Sequence, residues 1–447
     1  MEILVINGSP KGENSVTLQT ALYLEKRYPE HHFAYLHAGQ RIGVLAKDFS
    51  PAAEAVARAE LLIFCYPVYT FLAPSQLHRF LHLMKENGVE AAGKAATQLT
   101  TSKHFYDVTA HRYVRECLQD LGFTTLRGLS ADMADLTEEK GRGEAESFFR
   151  RALWAMENGV AEDRTDFPEP LPETPASPLP DRMKTAETTV AVVADLAEDD
   201  AALKSMIDRF RAAAPFETRL INIREFPFKG GCLGCLRCAQ DGRCVYTDGF
   251  DSFLRERVQS CAGTVYAFRV EEHSMGWRFK MYDDRQFCNG HRTVTMGSPG
   301  GYLVAGDLGR EENLRVTLEA RAQVGGNYPA GFADDCHGTD AAVDRLALSV
   351  ADALENAACE PQNFYGVGGS KIFRDLIWQM RGIMTADHRF YKKHGFYDDL
   401  PQKKTGTMLA MCAVGRLMKL PRVKDKMNEG MLAPYKKVLE NAGKEKA

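Results

Sequence analysis

Short, almost wholly apolar runs alternate with amphipathic stretches along the first third of the chain. The runs Glu2 to Ile6 (EILVI), Glu60 to Val68 (ELLIFCYPV) and Ala95 to Thr101 (AATQLTT) are too short for helices and lack the polar alternation of a half-exposed strand. Between them, Val16 to Arg27 and Ser75 to Glu86 repeat their apolar positions at helical spacing. Buried strands separated by helices are what a parallel sheet covered on both faces requires, so a doubly wound α/β domain is predicted. The same order returns later: Thr189 to Leu196, a helix from Asp199 to Ala213, Thr218 to Ile223, a helix near Phe250 to Gln259, Gly263 to Val270 and Gly301 to Leu308. The chain therefore reads as an internal duplication.

Asp163 to Lys184 carries six prolines and no periodic apolar pattern, which predicts a stiff, solvated linker between the two units. After Gln362 the pattern turns helical, Met-rich and basic. The expected division is 1–162, a first α/β domain; 163–186, the linker; 187–362, a second α/β domain; and 363–447, a helical extension.

Composition narrows the class. The net charge is −4 over 447 residues, which gives no reason to expect nucleic acid as a partner. No apolar run approaches the length of a membrane span, and the chain opens directly on a strand pattern, so a cytoplasmic protein with reduced thiols is expected.

Two segments carry candidate chemistry. Asn7 to Thr17 (NGSPKGENSVT) follows the first strand and opens the first helix, so its backbone and hydroxyl donors meet the positive end of a helix. This anion cradle lacks the glycine spacing of dinucleotide folds and the Lys-Ser/Thr of nucleotide hydrolases. It suits one terminal phosphate, such as that of FMN. The second segment, Gly230 to Cys244 (GGCLGCLRCAQDGRC), places Cys232, Cys235, Cys238 and Cys244 at spacing C-x2-C-x2-C-x5-C. Tight spacing of thiols favours an iron-sulfur cluster over zinc, which more often pairs two distant C-x2-C knuckles, although zinc or four metal-free thiols stay open.

The loop GSPKGENSVT resembles the GSPR-x-x-S-N-T loop of the flavodoxin-like NAD(P)H-dependent FMN reductases. YPVYTFLAPSQLHRFL, Tyr66 to Leu81, is similar to that family's P-V-Y-W segment and following helix, and TTSKHFYD, Thr100 to Asp107, falls at its third flavin loop. The resemblance implies two tandem flavodoxin-like domains with a helical C-terminal extension. It implies FMN held at its phosphate by Ser9, Lys11, Asn14, Ser15, Val16 and Thr17, and at its ring by Pro67, Val68, Tyr69, Thr70, Thr101 and Ser102. Thr70 stands where the family often has Trp. The cysteine segment resembles the compact motif of iron-sulfur flavoproteins, which implies a 4Fe-4S cluster. In the second domain, Asp195, Glu198, Asp199 and Asp200 replace the phosphate donors, so one FMN per chain is expected.

The implied activity is an FMN-dependent NAD(P)H oxidoreductase passing electrons between a two-electron and a one-electron partner. The alternatives are a quinone or flavin reductase without a cluster, and a non-catalytic electron-transfer or redox-sensing module. A small-molecule or protein acceptor is expected, a homodimer stays open, and the basic extension is a candidate dock for an acidic redox carrier.

The other candidates read more plainly. Cys65, Cys117, Cys261, Cys359 and Cys412 are expected in apolar cores. Asp387, His388, His394, Cys288, His291, Cys336 and His337 match no metal spacing and are expected in surface or core roles. Glu271 to Gln286 (EEHSMGWRFKMYDDRQ) is highly charged and is expected to face a substrate or partner. Met296 to Gly301 is expected to be a turn. Tyr69 and Tyr106 are candidates for the substrate face.

Overall fold

The computed structural model describes residues 1–89, 91–172 and 177–417. Met1–His388 forms one compact body, and the chain from Arg389 onward forms another.

In the first body, β1 (Glu2–Asn7), α1 (Val16–Arg27), β2 (His32–Leu36), α2 (Ala38–Leu45), α3 (Ser50–Arg58), β3 (Leu61–Pro67), α4 (Ser75–Glu86), β4 (Ala95–Ser102), α5 (Asp107–Asp120), β5 (Thr124–Thr125), β6 (Leu129–Asp132) and α6 (Glu139–Glu157) follow in turn. The strands are parallel in the order β2-β1-β3-β4-β5, with β6 also on β4. After the linker come β7 (Ala186–Ala194), α7 (Ala201–Ala213), β8 (Phe216–Asn222), α8 (Arg237–Asp241), α9 (Phe250–Phe253), β9 (Gly263–Arg269), α10 (Gly276–Arg285), β10 (Pro299–Ala305), α11 (Glu312–Gly325), β11 (Tyr328–Asp334), α12 (Thr339–Glu355) and α13 (Phe364–Gln379). Their sheet runs β11-β10-β9-β7-β8, again parallel. Counted from its own first strand, each sheet has the order 2-1-3-4-5, the flavodoxin-like winding.

Because side chains alternate across a strand, each sheet serves two cores. Ile3, Val5 and Ile63 face α1 and α6, while Val190, Val192 and Leu303 face α7 and α12. The opposite faces meet in one shared cluster: Leu77 and Phe80 of α4 and Tyr113 of α5 with Phe279 and Tyr282 of α10 and Leu318 of α11. The helix after the third strand of one domain packs on its counterpart in the other, α4 on α10, and α5 likewise meets α11. That reciprocity is the mark of a two-fold interface, here closed within a single chain.

The linker is mostly exposed among its described residues, and it is tied at intervals to the second domain. Its Leu171 N–H donates to Asp307 (3.0 Å), Ser177 N–H donates to Asp340 (2.6 Å), and the Phe167 ring stacks on His273 at 4.3 Å. These contacts, made by residues far along the chain, fix the linker's path, which a proline count cannot foresee.

His273 ties the halves together. Its Nε2 meets Asp120 at the end of α5 (2.9 Å) and its Nδ1 meets Glu311 before α11 (3.1 Å). Burial alone would lower the ring's pKa, but the hydrogen bonds to the two carboxylates outweigh it and raise the pKa to about 9. Glu116, Arg164 and Lys85 complete the local field. A folded-state pKa above the unfolded value stabilises fully below pH 6.5 and is lost as pH rises through about 9. Urea titrations of the wild type between those limits should lose up to about 3 kcal/mol that H273Q does not lose.

Two further expectations are corrected. Cys359 and Cys412 are exposed and Cys261 is half-buried, whereas Cys65 and Cys117 are core. The segment Glu271 to Gln286 does not face outward: Lys280, Asp283, Asp284 and Arg285 are all buried. They are neutralised by the pair Lys280–Asp284 within one helix and by the distant pairs Asp283–Arg321 and Arg285–Asp248, so charge density here reflects pairing and not solvent. In the second body, Thr405–Leu417 is a helix with exposed side chains. The remaining basic tail proposed to dock a carrier lies outside the described residues.

Candidate functional site

The first domain presents three loops at the carboxyl edge of its sheet, where doubly wound folds bind ligands. After β1, Asn7 organises the loop: its Nδ2 donates to Gly12 O (2.8 Å) and its Oδ1 accepts from Ser9 N (3.1 Å). Ser15 then caps α1, accepting from Leu18 N at 3.4 Å. The Thr17 and Thr101 hydroxyls meet at 2.6 Å and join the first loop to β4. Gly39 of α2 lies against this loop so closely that a β-carbon would stand 2.3 Å from Gly8 O.

After β3, Thr70 and Phe71 both adopt positive φ, 46° and 71°, and the turn closes through two main-chain bonds between Tyr69 and Leu72. Two non-glycine residues in that region are costly and need outside support. The second domain provides it. Lys280 Nζ donates to Tyr69 O (2.9 Å), and Asp284 accepts from Ser75 N (2.8 Å), satisfying a free amide of the α4 N-terminus. The second domain repeats this backbone at Glu271 to Ser274, with Glu272 and His273 at positive φ. There the turn carries charge, and the position of its phosphate loop is closed by Asp195–Arg224 (2.6 Å) and Asp200–Arg269 (2.6 Å).

Ser9, Lys11, Ser15, Val16, Thr17, Pro67, Val68, Tyr69, Thr70, Thr101 and Ser102 line a single cavity of about 1200 Å³, mouth included. Asn14 is exposed and does not line it. The wall has members that loop patterns did not reveal. Cys232, Asp284, Phe287 and His291 come from the second domain, and Ile372, Phe373, Leu376, Met380 and Met384 from α13 and the residues after it. The last set was readable in part, because 372, 376, 380 and 384 form a stripe at helical spacing. Tyr106 is absent from this wall: its hydroxyl donates to Tyr365 O at 2.6 Å.

The four cysteines of the second segment line an adjoining cavity of about 480 Å³, together with Cys288. Cys232 and His291 belong to both walls. His291 is held through Nδ1 by the fully buried Asp387 at 2.9 Å, and both residues are buried. Gly234 has φ 61°, and a β-carbon there would strike the Tyr69 hydroxyl, which is how the cysteine loop reaches the ring loop. Burial pushes the Cys232 and Cys238 thiols up to about 12, helped by Asp284 and Asp387 respectively. Among the described residues, three or more potential ligand atoms gather within 4.8 Å of one another only at His82–Glu271–Glu272 and Asp307–Asp334–His337. The cysteine sulfurs are thus more widely spread than a single tetrahedral zinc ion would hold them, since Zn–S bonds of about 2.3 Å keep sulfurs under about 4 Å apart.

Winding and loops together define a tandem flavodoxin-like protein whose first half carries a ligand cavity. Residues 1–134 match the family model of the NADPH-dependent FMN reductases. Solved structures similar to this chain include an NADH:FMN oxidoreductase in its apo form (22% identity over 36% of this chain and 91% of that one, TM-score 0.30). An FMN-dependent NADH-azoreductase from Bacillus anthracis in complex with FMN is similar at 13% identity (36% and 99%, TM-score 0.26). An NAD(P)H:quinone oxidoreductase from Methanothermobacter marburgensis follows at 14% (37% and 98%, TM-score 0.27). No curated protein sequence matches the chain. Among the described residues, no helix is long and apolar enough to cross a membrane.

Proposed function

We propose that the chain is an FMN-dependent NAD(P)H oxidoreductase, with one flavin in the first domain's cavity and a 4Fe-4S cluster on Cys232, Cys235, Cys238 and Cys244. The observation that carries the flavin is the convergence of three separate loops on one cavity whose Thr70 Oγ1 is buried without a partner. An unpaired buried hydroxyl is costly, and a ring carbonyl or N–H would satisfy it. FMN, when bound, supplies hydride chemistry and the change between two-electron and one-electron transfer. The chain's part is positional. Ser9, Lys11, Ser15 and Thr17 receive the phosphate at the α1 terminus, the Tyr69–Thr70 turn sets the ring, and the α13 stripe excludes water.

Support for the cluster is narrower: the spacing, the common cavity and main-chain N–H groups directed at sulfur, Gly234 to Cys232 (3.4 Å) and Gly290 to Cys238. The raised thiol pKa values of Cys232 and Cys238 fit a second reading, a reductase acting on small-molecule acceptors whose cysteines hold no cluster. Metal and flavin content decide between them. Anaerobically purified protein is expected to carry one FMN per chain with four irons and four sulfides, and to bleach in the visible on dithionite. One FMN without iron after reconstitution would establish the second reading, and no FMN would overturn the proposal.

A further inference from the structure

A groove of about 970 Å³, mouth included, opens on the second domain where the cysteine segment ends. Its wall carries Arg243, Arg255 and Arg292, the amides of Gln259 and Asn289, and one acid, Asp241. The three guanidinium groups converge on a single glycine. Arg255 Nη2 donates to Gly242 O at 2.9 Å, and Arg243 is the next residue along. Arg292 lies so near that a β-carbon on Gly242, which has φ 79°, would stand 3.1 Å from its Nη1. Arg243 and Arg255 are exposed, so a ligand in the groove can reach them.

The charges do not balance. Asp241 is engaged elsewhere: its carboxylate meets Arg237 at 3.5 Å and accepts from the main-chain N–H of Arg243 at 2.9 Å. Arg292 spends its Nε on Asn289 O and Asp387, which leaves both η nitrogens without a hydrogen bond among the described residues. Arg243 and Arg255 form no ion pair among the described residues. Like charges drawn to one point repel, and an anion turns that cost into attraction. Planar guanidinium forks suit the paired oxygens of a phosphate in particular.

The groove also leads inward. Gln259, Asn289, Arg292 and Val294 line both it and a chamber of about 1080 Å³. That chamber in turn shares Thr70, Phe105, Phe287, His291 and Phe373 with the flavin-sized cavity. Deeper in, Arg321 is paired with Asp283 at 2.5 Å, so the excess of positive charge is confined to the outer end.

We infer that the groove is an anion site, in which Arg243, Arg255 and Arg292 hold the phosphate group of an organic phosphate ester whose ring lies in the adjoining chamber. The phosphate marks the outer end of the ligand and the ring its inner end. The site requires no flavin, so binding is readable whatever the FMN content.

The test is calorimetry on the full-length protein with naphthyl phosphate, naphthol and inorganic phosphate as probes. Naphthyl phosphate should bind at least tenfold more tightly than either of the others, because it alone fills both parts. R243Q/R255Q should weaken it at least tenfold, to the level of naphthol, while keeping the wild-type unfolding midpoint, since both side chains are exposed. R255K retains the charge without the fork and should fall between. Arg257→Gln removes an exposed arginine that does not line the groove and should change nothing. Equal affinity for naphthyl phosphate and naphthol, or an equal loss in R257Q, would overturn the inference. Displacement of naphthyl phosphate by NADPH and not by NADH would assign the phosphate to a nucleotide, and displacement by neither to a separate phosphorylated compound; both outcomes support the site. Protein that binds naphthyl phosphate but never FMN would sink the flavin reading and leave this one standing.

Discussion

Gly39→Ala is expected to cost the protein its FMN, lowering affinity at least a hundredfold, and to destabilise the fold by about 1–3 kcal/mol as overpacking does. The added carbon would lie 2.3 Å from Gly8 O, 2.5 Å from Gly8 C and 2.6 Å from Ser9 C. All three are main-chain atoms, so no flexible side chain can swing away. The loop itself must move, and with it the amides and hydroxyls proposed to receive the phosphate. Gly43, one turn along the same helix, supplies the control: a β-carbon there meets nothing within 4 Å. Gly43→Ala should leave flavin affinity unchanged and add up to about 1 kcal/mol through helix propensity. Fluorescence titration of the apoprotein with FMN, beside urea unfolding, reads both variants. A Gly39→Ala protein that binds FMN normally would show that the first loop does not hold the phosphate.

The second large effect is expected at Lys280. Its ammonium and the Asp284 carboxylate are both 0% exposed and face each other across one helical turn. Removing one partner of such a pair strands a charge in the interior, which costs about 3–5 kcal/mol, whereas replacing both is often neutral. Lys280→Met should therefore destabilise severely, and the double variant K280M/D284N should recover much of the loss. The flavin should respond differently. Lys280 also holds Tyr69 O, and Asp284 lines the cavity, so the double variant is expected to fold yet bind FMN at least tenfold more weakly. Unfolding midpoints and FMN titrations of the two single variants and the double one form a complete cycle. Recovery of both stability and affinity in the double variant would show that the pair serves packing alone.

The first-domain loops were legible because their chemistry is local. Ser9, Ser15 and Thr17 stand within one strand-to-helix turn, and Pro67 to Thr70 within another, so neighbours in sequence are neighbours at the cavity. Legibility ended where partners come from far away. Asp284 touches Ser75 across 209 positions, and nothing in a charged stretch announces that its charges will cancel indoors. His291 looked like an isolated histidine because Asp387 lies 96 residues on. Apolar residues at 372, 376, 380 and 384 recur at helical spacing, but a pattern of apolar residues does not say what it will cover. Cys261, Cys359 and Cys412 erred in the opposite direction, since apolar neighbours in sequence do not guarantee burial.

The reciprocal packing of α4 on α10 and α5 on α11 has a consequence for dilution. A pocket completed by a separate subunit falls apart at low concentration, because each encounter must repay the freedom lost on association. Here the second domain, which braces the Tyr69 turn and supplies Asp284, travels with the first at a fixed local concentration. Specific activity should therefore not fall as the protein is diluted. On the proposed reading only one half holds the flavin phosphate, which left the other free to fill its own loop with acids and to gain cysteines, an inequality that two identical chains could not have acquired.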